Sequence, residues 1–260
     1  MYNEAELKQR IARQFSKAAE DYDHVAGIQR DIASHAMSLF SPAKKWVMDL
    51  GCGTGRISAQ LAQQATRVIG VDIAAGMVNV ARQRYPFNNL HFEVADAENL
   101  PLADSTIDGV FSSMALQWCQ PLEKVMQELY RVMKPGARGV LAIMAKGSLA
   151  ELNQSWLQLA EPAHVNSFED SHSMCTAAIA AGFDAGVTEK CFTSWHTDIF
   201  AVLHSIKDVG AGVLVNHPKQ RLSRKQLQRL QACYSEHFAQ DKGLPLSYQV
   251  TFLEIQKQTE

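Results

Sequence analysis

The sequence predicts an α/β protein, built on a doubly wound and mostly parallel sheet with a small helical cap. Short apolar runs alternate with helical stretches from Trp46 onward, and a glycine-rich turn, DLGCGTG, follows the first run. A chain of 260 residues is long enough for one large core. Because parallel strands need crossover helices, this alternation predicts right-handed βαβ units with both faces of the sheet covered.

The first forty residues have the periodicity of helices. Leu7, Ile11 and Phe15 recur at helical spacing, and a second apolar series extends from Ile28 to Met37. A serine-proline pair then ends the helical pattern. We therefore expect an N-terminal helical unit over residues 1–42.

Strands and helices alternate over the next hundred residues, 43–147. The apolar runs predict five strands, at Trp46–Leu50, Arg67–Asp72, Leu90–Ala95, Gly109–Ser113 and Gly139–Met144. Helical spacing predicts the helices 56–64, one through Met77 and Ala81, and 122–133. The sequence Lys-Pro-Gly ends the last of these helices before the fifth strand.

The alternation stops after Gly147. Helices are expected at 148–159, 174–181, 198–209 and 223–238, and strands at 187–195 and 248–255. We expect a helical cap over residues 148–242 that contains one core edge strand, at about 187–197. The final core strand falls in 243–260, so that seven strands form the sheet and its last two are antiparallel.

Composition narrows the range of functions. A net charge of −2, with 47% hydrophobic and 20% charged residues, gives no reason to expect nucleic acid or a membrane as partner. The N-terminal stretch has no apolar signal segment, and the five cysteines form no CxxC pair. We therefore expect a cytoplasmic location with reduced thiols and no metal site.

The glycine turn predicts a ligand of a particular charge. Gly51, Gly53 and Gly55 alternate, with Asp49 ahead of them. The dinucleotide-binding pattern requires its third glycine where this chain has Arg56. Pyrophosphate favours a helix N-terminus without a nearby negative charge. A carboxylate beside the turn instead suits a ligand that carries positive charge.

Acids also close the next two strands. Asp72 ends the second predicted strand, and Asp96 follows the third. A carboxylate at such a position can accept two hydrogen bonds from a ribose diol. Asp72 alone could be a helix cap. Together with Asp49, however, three strand ends carry acidic residues, and this recurrence favours a ligand-binding site over a single helix cap.

The stretch DLGCGTG resembles motif I of the class I S-adenosylmethionine-dependent methyltransferases. The resemblance implies their Rossmann-like seven-stranded fold and S-adenosylmethionine as cofactor. It implies that Asp49 serves the amino group, Asp72 the ribose and Asp96 the adenine, while Met77 packs on the adenine ring. The cofactor-binding residues expected from it are Gln29, Asp49, Gly51, Cys52, Gly53, Gly55, Asp72, Ile73, Met77, Asp96, Ala97, Ser112, Ser113 and Met114.

Longer stretches are similar to one family, the malonyl-acyl-carrier-protein O-methyltransferases of biotin synthesis (the BioC family). The matching sequences are FSKAAEDYDHVAGIQRDIA, SSMALQWC, GSLAELNQSW, SIKDVGA, RLSRKQLQRLQ and LPLSYQV. The resemblance spans nearly the whole chain, including the cap. It implies methyl transfer to the free carboxylate of malonyl-acyl carrier protein, a substrate whose ionised carboxylate needs no general base.

The same resemblance implies residues around the acceptor. The N-terminal helices would fold over the cofactor, with Tyr22 and Gln29 lining the transfer chamber and Tyr22 acting to position the substrate. Tyr22 could instead be an amphipathic anchor for its helix. Further candidates for contact with the substrate are Gln117, Trp118, His164 and Asn166. One departure is Ser167, which stands where the family pattern has an arginine that could bind the malonyl carboxylate.

The cap also carries a basic segment, with Arg221, Arg224, Lys225 and Arg229 close together. Spacings of three and four residues place these side chains on one side of a helix. Acyl carrier proteins are acidic, so this side is a candidate docking surface, although a merely solvated helix face would have the same pattern.

Two other functions remain open at this point. The chain could be a methyltransferase for a small molecule, such as a quinone or an unattached or CoA-linked acid. It could also be a non-catalytic protein that binds S-adenosylmethionine and acts through partners. Nucleic-acid amino methylation is disfavoured, because SSMALQW replaces the proline-rich box of those enzymes.

Overall fold

The computed structural model describes residues 4–41, 45–161, 165–214 and 222–259. Its strands are β1 (Trp46–Leu50), β2 (Arg67–Asp72), β3 (Leu90–Val94), β4 (Ile107–Ser113), β5 (Met133–Met144), β6 (Phe183–His196) and β7 (Leu244–Lys257). They form one seven-stranded sheet in the order β3-β2-β1-β4-β5-β7-β6. β1 to β5 are parallel, and β7 is antiparallel to both β5 and β6. The predicted mostly parallel sheet with an antiparallel edge is confirmed.

Ten helices are seen in the described residues. They are α1 (Glu4–Ala18), α2 (Tyr22–Val25), α3 (Gly27–Ser38), α4 (Arg56–Ala62), α5 (Ala75–Arg84), α6 (Leu122–Val132), α7 (Ala150–Gln158), α8 (Ser171–Ala180), α9 (Ile199–Asp208) and α10 (Arg224–Phe238). A short 3-10 turn, Leu116–Trp118, follows β4. Within these ranges, no helix has the length and apolar character needed to cross a membrane.

The sheet separates two apolar cores because side chains alternate along each strand. On β1, Val47 is buried in one core and Met48 in the other. Helix α3 packs against β4, β5 and β6, while α6 contributes its buried side chains to the opposite core. The strand order reverses between β1 and β4, and in such sheets ligands bind beyond the carboxyl ends of the strands at this point.

Three strands are at least five residues longer than predicted, whereas β3 and β4 differ from the prediction by one or two residues. β5 begins at Met133, directly after α6, so its first residues include the Lys-Pro-Gly sequence that was expected to separate the helix from the strand. β6 and β7 are each 14 residues long and pair over their whole length, from Phe183 opposite Lys257 to His196 opposite Leu244. The charged and exposed residues of β6 concealed its length, and such residues are typical of a strand at the edge of a sheet.

Helix α8 was expected to belong to the cap, but it packs on the core. Its side chains Met174, Ala177 and Ala178 are buried in the core that contains α6. The helix begins after Asp170, whose carboxylate accepts a hydrogen bond from the Ser173 N–H at 2.8 Å. The cap helices proper are therefore α7, α9 and α10; α10 packs with both of the others, and all three pack with β7.

Candidate active site

The glycine turn after β1 has a left-handed backbone, with φ of 75° at Gly51, 54° at Gly53 and 81° at Gly55. A Cβ on Gly51 would lie 2.1 Å from the Cβ of Ala115, whereas a Cβ on Gly53 would meet no atom within 4 Å. A Cβ on Gly55 would lie 2.7 Å from the ring of Phe92. Thus Gly51 and Gly55 allow close packing, and Gly53 exposes its backbone to open space.

Asp72 links this turn to the next helix. Its two carboxylate oxygens accept hydrogen bonds from the N–H groups of Gly53, at 2.9 Å, and Ala74, at 2.8 Å. Burial raises the pKa of the carboxyl, and these two bonds oppose that shift. The backbone therefore fixes the direction of the side chain while oxygen lone pairs remain for a ligand.

Asp49 is the most deeply buried acid of the site, with 2% of its surface exposed. The Ser58 hydroxyl donates a hydrogen bond of 2.5 Å to its carboxylate. Burial raises the pKa of Asp49 to about 7; the hydrogen bond from Ser58 opposes this shift, and the negative charge of Asp72 adds to it. A cationic group nearby would stabilise the ionised form.

A cavity of about 800 Å³, which we call the turn cavity, lies at the carboxyl ends of β1, β2 and β4. Nine of the predicted cofactor residues line it: Gly51, Gly53, Asp72, Ile73, Met77, Asp96, Ala97, Ser113 and Met114. A smaller adjoining cavity, the Asp49 cavity, is lined by Asp49, Cys52 and Gln29 among others, and again by Gly51, Gly53 and Ser113. The turn cavity has the size range of a cofactor site.

Two predicted cofactor residues line neither cavity, which corrects their assignment. The Ser112 hydroxyl is fully buried and donates a hydrogen bond to the Leu50 carbonyl at 2.7 Å, so that it joins β4 to β1. Gly55 packs against Phe92 and Ala81 at the start of α4. Both residues support the site from behind.

A second large cavity, of about 1140 Å³, lies between the N-terminal helices and the cap helices; we call it the cap cavity. Its walls are mostly apolar and come from distant parts of the chain. They include the predicted Gln29, Gln117, Trp118 and Asn166, together with residues that the sequence did not single out, among them Phe15, Phe168, Lys207 and Tyr248.

The two large cavities adjoin at four shared residues: Phe15, Tyr22, Met114 and Trp118. Tyr22 also lines the Asp49 cavity. The rings of Phe15 and Trp118 meet edge to face, with centroids 5.8 Å apart. This junction is where a group bound in one cavity can reach a group bound in the other.

Met114 has a strained backbone at this junction, with φ of 57°. Its N–H donates to the Ala142 carbonyl at 2.8 Å, and the Gln117 side-chain amide donates to the Met114 carbonyl at 2.8 Å. Such strain persists where neighbouring bonds hold the conformation, and it concentrates at functional sites.

Tyr22 keeps its hydroxyl proton. Burial raises the pKa of Tyr22 far above its ordinary value, and the negative charges of Asp72 and Asp23 raise it further. The phenol can therefore donate a hydrogen bond at neutral pH, but it does not act as a base.

Ion pairs hold the N-terminal helices over the turn cavity. The Lys8 ammonium on α1 lies 2.8 Å from carboxylate oxygens of both Asp96 and Glu98. Asp23 on α2 accepts a hydrogen bond from the Thr54 hydroxyl, at 2.9 Å, and one from Arg84, at 2.6 Å. Sequence reasoning missed Lys8 and Asp23, since each partner is more than thirty residues away and no local pattern marks them.

Several buried polar atoms around these cavities have no hydrogen-bond partner among the described residues. They are Gln29 Oε1, Ser113 Oγ, Gln117 Oε1 and Trp118 Nε1. Buried polar atoms are normally paired, so their grouping here indicates a polar ligand. With the open backbone of Gly53, the buried carboxylate of Asp49 and the half-buried carboxylate of Asp72, these atoms fit a ligand that has hydroxyl, amino and heterocyclic groups.

The remaining substrate candidates have different positions. The Asn166 side-chain amide donates to the Val213 carbonyl at 2.7 Å and lines the cap cavity. Ser167, next to it, is exposed and does not line the cavity. His164 lies outside the described residues, so its predicted contact stays a prediction.

The described part of the basic segment begins α10, whose first residue is Arg224. Arg221 lies outside the described residues, so the expected repeat from Arg221 along one helix stays a prediction. Arg224, Lys225 and Arg229 are exposed on α10, away from the cavities. A guanidinium nitrogen of Arg229 lies 3.7 Å from a carboxylate oxygen of Glu161.

Comparison with known families gives the site a context. Residues 48–141 match the family model of a methyltransferase domain. The malonyl-[acyl-carrier protein] O-methyltransferase of Serratia marcescens is 36% identical over 253 residues, which cover 96% of each chain. The biotin biosynthesis bifunctional protein BioHC of Cellvibrio japonicus is 37% identical over 255 residues, 96% of this chain. The chain spans half the length of that bifunctional relative.

Solved structures share the fold at low identity. The YcgJ protein of Bacillus subtilis aligns with a TM-score of 0.63 and 19% identity, over 89% of this chain and 99% of that one. An S-adenosylmethionine-dependent methyltransferase of Thermotoga maritima aligns with a TM-score of 0.57 and 18% identity, over 95% of this chain and 99% of that one. These likenesses establish the architecture.

Proposed function

This chain belongs to the malonyl-acyl-carrier-protein O-methyltransferase family, and we propose that it transfers a methyl group from S-adenosylmethionine to the free carboxylate of malonyl-acyl carrier protein, in the synthesis of biotin. The observation that carries this proposal is the meeting of the turn cavity and the cap cavity at Tyr22, Phe15, Met114 and Trp118. Methyl transfer needs two sites that open onto each other, with water excluded between them.

The residues of the turn cavity suit the cofactor, which supplies an electrophilic methyl group on a sulfonium when it is bound. Asp72 would accept hydrogen bonds from the ribose hydroxyls, and Asp96 with the backbone of Ala97 would bind the adenine edge. Asp49 would stabilise the amino group through the glycine turn. Met77, 1% exposed, offers an apolar surface for the ring.

The residues of the cap cavity suit an acyl chain that ends in a carboxylate. That carboxylate is ionised at neutral pH, so no residue needs to remove a proton. The protonated Tyr22 hydroxyl and the unpartnered Trp118 N–H can donate hydrogen bonds to it. Apolar walls exclude water from the transfer, and the product ester has lost the charge that would oppose entry into apolar elongation sites.

Successive segments of the chain have different roles in the proposed reaction. In this proposal the core, residues 43–147, holds the cofactor, while the N-terminal helices of 1–42 and the cap helices within 148–242 enclose the acyl group. The last strand, in 243–260, adds Tyr248 to the wall of the cap cavity.

We place the carrier-protein contact on the start of α10. Arg224 and Lys225 occupy its first turn, where the helix dipole disfavours cations, and both are exposed. An acidic carrier protein would relieve this repulsion. Arg224→Glu with Lys225→Glu should raise the KM for malonyl-acyl carrier protein about tenfold at low salt and leave activity on malonyl-CoA unchanged. Lys190→Glu, an exposed site on β6, is the matched control, and an unchanged KM in the double variant would refute this docking surface.

The reaction itself is tested by incubating the protein with S-adenosylmethionine and malonyl-acyl carrier protein. Mass spectrometry should find one methyl group added to the malonyl moiety and none when the acyl group is acetyl. Methylation of free malonate at a comparable rate would favour a small-molecule methyltransferase instead. No consumption of the cofactor with any of these acceptors would favour a non-catalytic binding protein.

A further inference from the structure

The described residues of the cap cavity carry very little charge. Thirteen of its described lining residues are aliphatic, Met or Phe side chains, and the described lining includes no aspartate, glutamate or arginine. Lys207 is the one described lining residue with a side chain that is charged at neutral pH. A chamber of this composition favours an apolar ligand with a single negative charge, because a second charge would be left unpaired.

Lys207 lies in the last turn of α9, which reaches the junction of the two cavities. The Gly210 N–H donates to the Lys207 carbonyl at 2.9 Å, so the two residues belong to one turn. A Cβ on Gly210 would lie 3.0 Å from Cδ1 of Phe15, which lines both cavities. The helix end that carries Lys207 is therefore packed against a residue of the junction.

The Lys207 side chain is free to meet a ligand. Its Cα, Cβ and Cγ atoms lie 3.6 to 3.9 Å from the position of a Cβ on Gly212, so the backbone of the 211–214 segment supports its stem. The residue is exposed, and no carboxylate among the described residues forms an ion pair with it. Lysine can lay its stem along an apolar wall while its ammonium remains mobile.

We propose that Lys207 is the specificity-determining residue that recognises the carboxylate of the acyl group. This inference rests on the proposed function: it assigns the Lys207 ammonium as the group that recognises the charged end of the malonyl substrate. Lys207 attracts the carboxylate into a chamber whose other described lining residues are uncharged, and so selects malonyl over acyl groups that lack the charge. Neutral donors at the junction, Tyr22 and Trp118, then orient the attacking oxygen.

The chemistry explains why one exposed lysine suits this task. A bond forms between a carboxylate oxygen and the methyl carbon, and the bond from that carbon to sulfur breaks. The negative carboxylate and the positive sulfonium become a neutral ester and a neutral thioether, and no proton moves. Because the carboxylate loses its charge along the reaction, a tight ion pair would stabilise the substrate more than the transition state. Lys207 therefore acts mainly on binding, and less on kcat.

The test compares two acyl groups on the same carrier protein. Binding of malonyl-acyl carrier protein and acetyl-acyl carrier protein is measured with wild type, Lys207→Met and Lys207→Arg. Lys207→Met should weaken malonyl binding about fivefold, the range of a partly exposed ion pair, and leave acetyl binding unchanged. Lys207→Arg should keep the malonyl preference, and Lys17→Met, an exposed lysine on α1, should change neither affinity.

The outcomes separate this proposal from the function on which it rests. If wild type methylates malonyl-acyl carrier protein but Lys207→Met weakens both acyl forms equally, or neither, Lys207 does not read the carboxylate and the function stands. If wild type does not methylate the malonyl form at all, the function fails, whatever the lysine variants bind. A rise in KM for malonyl substrate with kcat within about twofold of wild type would support the recognition role.

Discussion

The turn cavity and the cap cavity are built by opposite means. The turn cavity takes its ligand groups from the ends of neighbouring parallel strands, where backbone N–H groups fix the half-buried carboxylate of Asp72. The cap cavity takes apolar side chains from helices far apart in the chain and holds a single described cation, Lys207. One cavity therefore has carboxylates held at strand ends, and the other has no carboxylate among its described lining residues. On the proposed function, the difference teaches that the fold supplies the methyl donor site, whereas the additions to the fold supply the acceptor site.

The largest effect should come from the most constrained group of the turn cavity. Asp72→Ala removes the carboxylate that two ribose hydroxyls would use, and it also releases the Gly53 N–H. We expect the Kd for S-adenosylmethionine, measured by calorimetry, to rise about a hundredfold or more. Asp184→Ala, an exposed acid on β6, is the control. A near-normal Kd for Asp72→Ala would show that the polar strand ends do not define the site.

Two glycines of the same turn should respond differently to alanine. In Gly51→Ala the new Cβ would lie 2.1 Å from Ala115, so we expect a loss of about 2 kcal/mol in the free energy of unfolding. Gly53→Ala meets no protein atom and should cost about 1 kcal/mol through its left-handed backbone, while weakening cofactor binding. Denaturant unfolding and calorimetry on both variants measure the contrast. Equal stability losses would remove the distinction between a packing glycine and a ligand-facing glycine.

The pH dependence of cofactor binding should follow Asp49. With a pKa of about 7, the carboxyl is mostly protonated at lower pH. It must then lose this proton before it can stabilise a cationic amino group. Cofactor affinity should therefore fall about tenfold for each pH unit below about 7 and level off above it. Asp49→Asn should bind more weakly at pH 8 and lose this pH dependence.

The raised pKa of Asp49 also predicts how the stability of the unliganded protein depends on pH. The folded state holds the Asp49 proton more tightly than the unfolded state does, so this contribution to stability is present in acid and is lost as the pH rises through about 7. Thermal unfolding without cofactor at pH 6 and pH 8, in wild type and Asp49→Asn, measures it. A wild type that becomes more stable than the variant as the pH rises would contradict the raised pKa.

The smallest effect should come from the pairs that close α1 over the turn cavity. Lys8→Met leaves Asp96 and Glu98 without their shared cation, and we expect cofactor affinity to fall about fivefold at low salt. In wild type, added salt should reproduce part of the loss, because the Lys8–Asp96 pair is partly exposed and salt screens it more than the Lys8–Glu98 pair, whose carboxylate is buried. Lys124→Met, which removes a more exposed cation beside the same Glu98, should have the weaker effect. No difference between these variants would mean that α1 is held by packing alone.

The turn cavity could be predicted from the sequence because its information is local. A strand, a glycine turn and an acid at the next strand end are all short patterns, and parallel strands bring such ends together. Two residues of this site were predicted in the correct segments but do not face the cavities. The Ser112 hydroxyl forms a hydrogen bond to the neighbouring strand, and Gly55 packs behind the turn. Alternation along a strand identifies faces only once the partner strands are known.

The cap cavity could not be assembled from the sequence in the same way. Phe15, Lys207 and Tyr248 meet only through the packing of α1, α9 and β7, and nothing in the residues around each one indicates the others. α8 was assigned to the cap because it follows the break in alternation, yet its buried face lies against the core. Family resemblance identified the segments that matter, but not which side chains face the chamber.

The position of β7 in the sheet implies an order of assembly. β7 lies between β5 and β6, so β6 cannot join the sheet until the ribosome has made a strand that begins some fifty residues later. Pairing over such a separation carries a loop-closure cost that local contacts avoid. The strands around the glycine turn have no such dependence on late residues. During synthesis the strand ends of the turn cavity can therefore form first, and the cap cavity, whose wall includes Tyr248, is completed last.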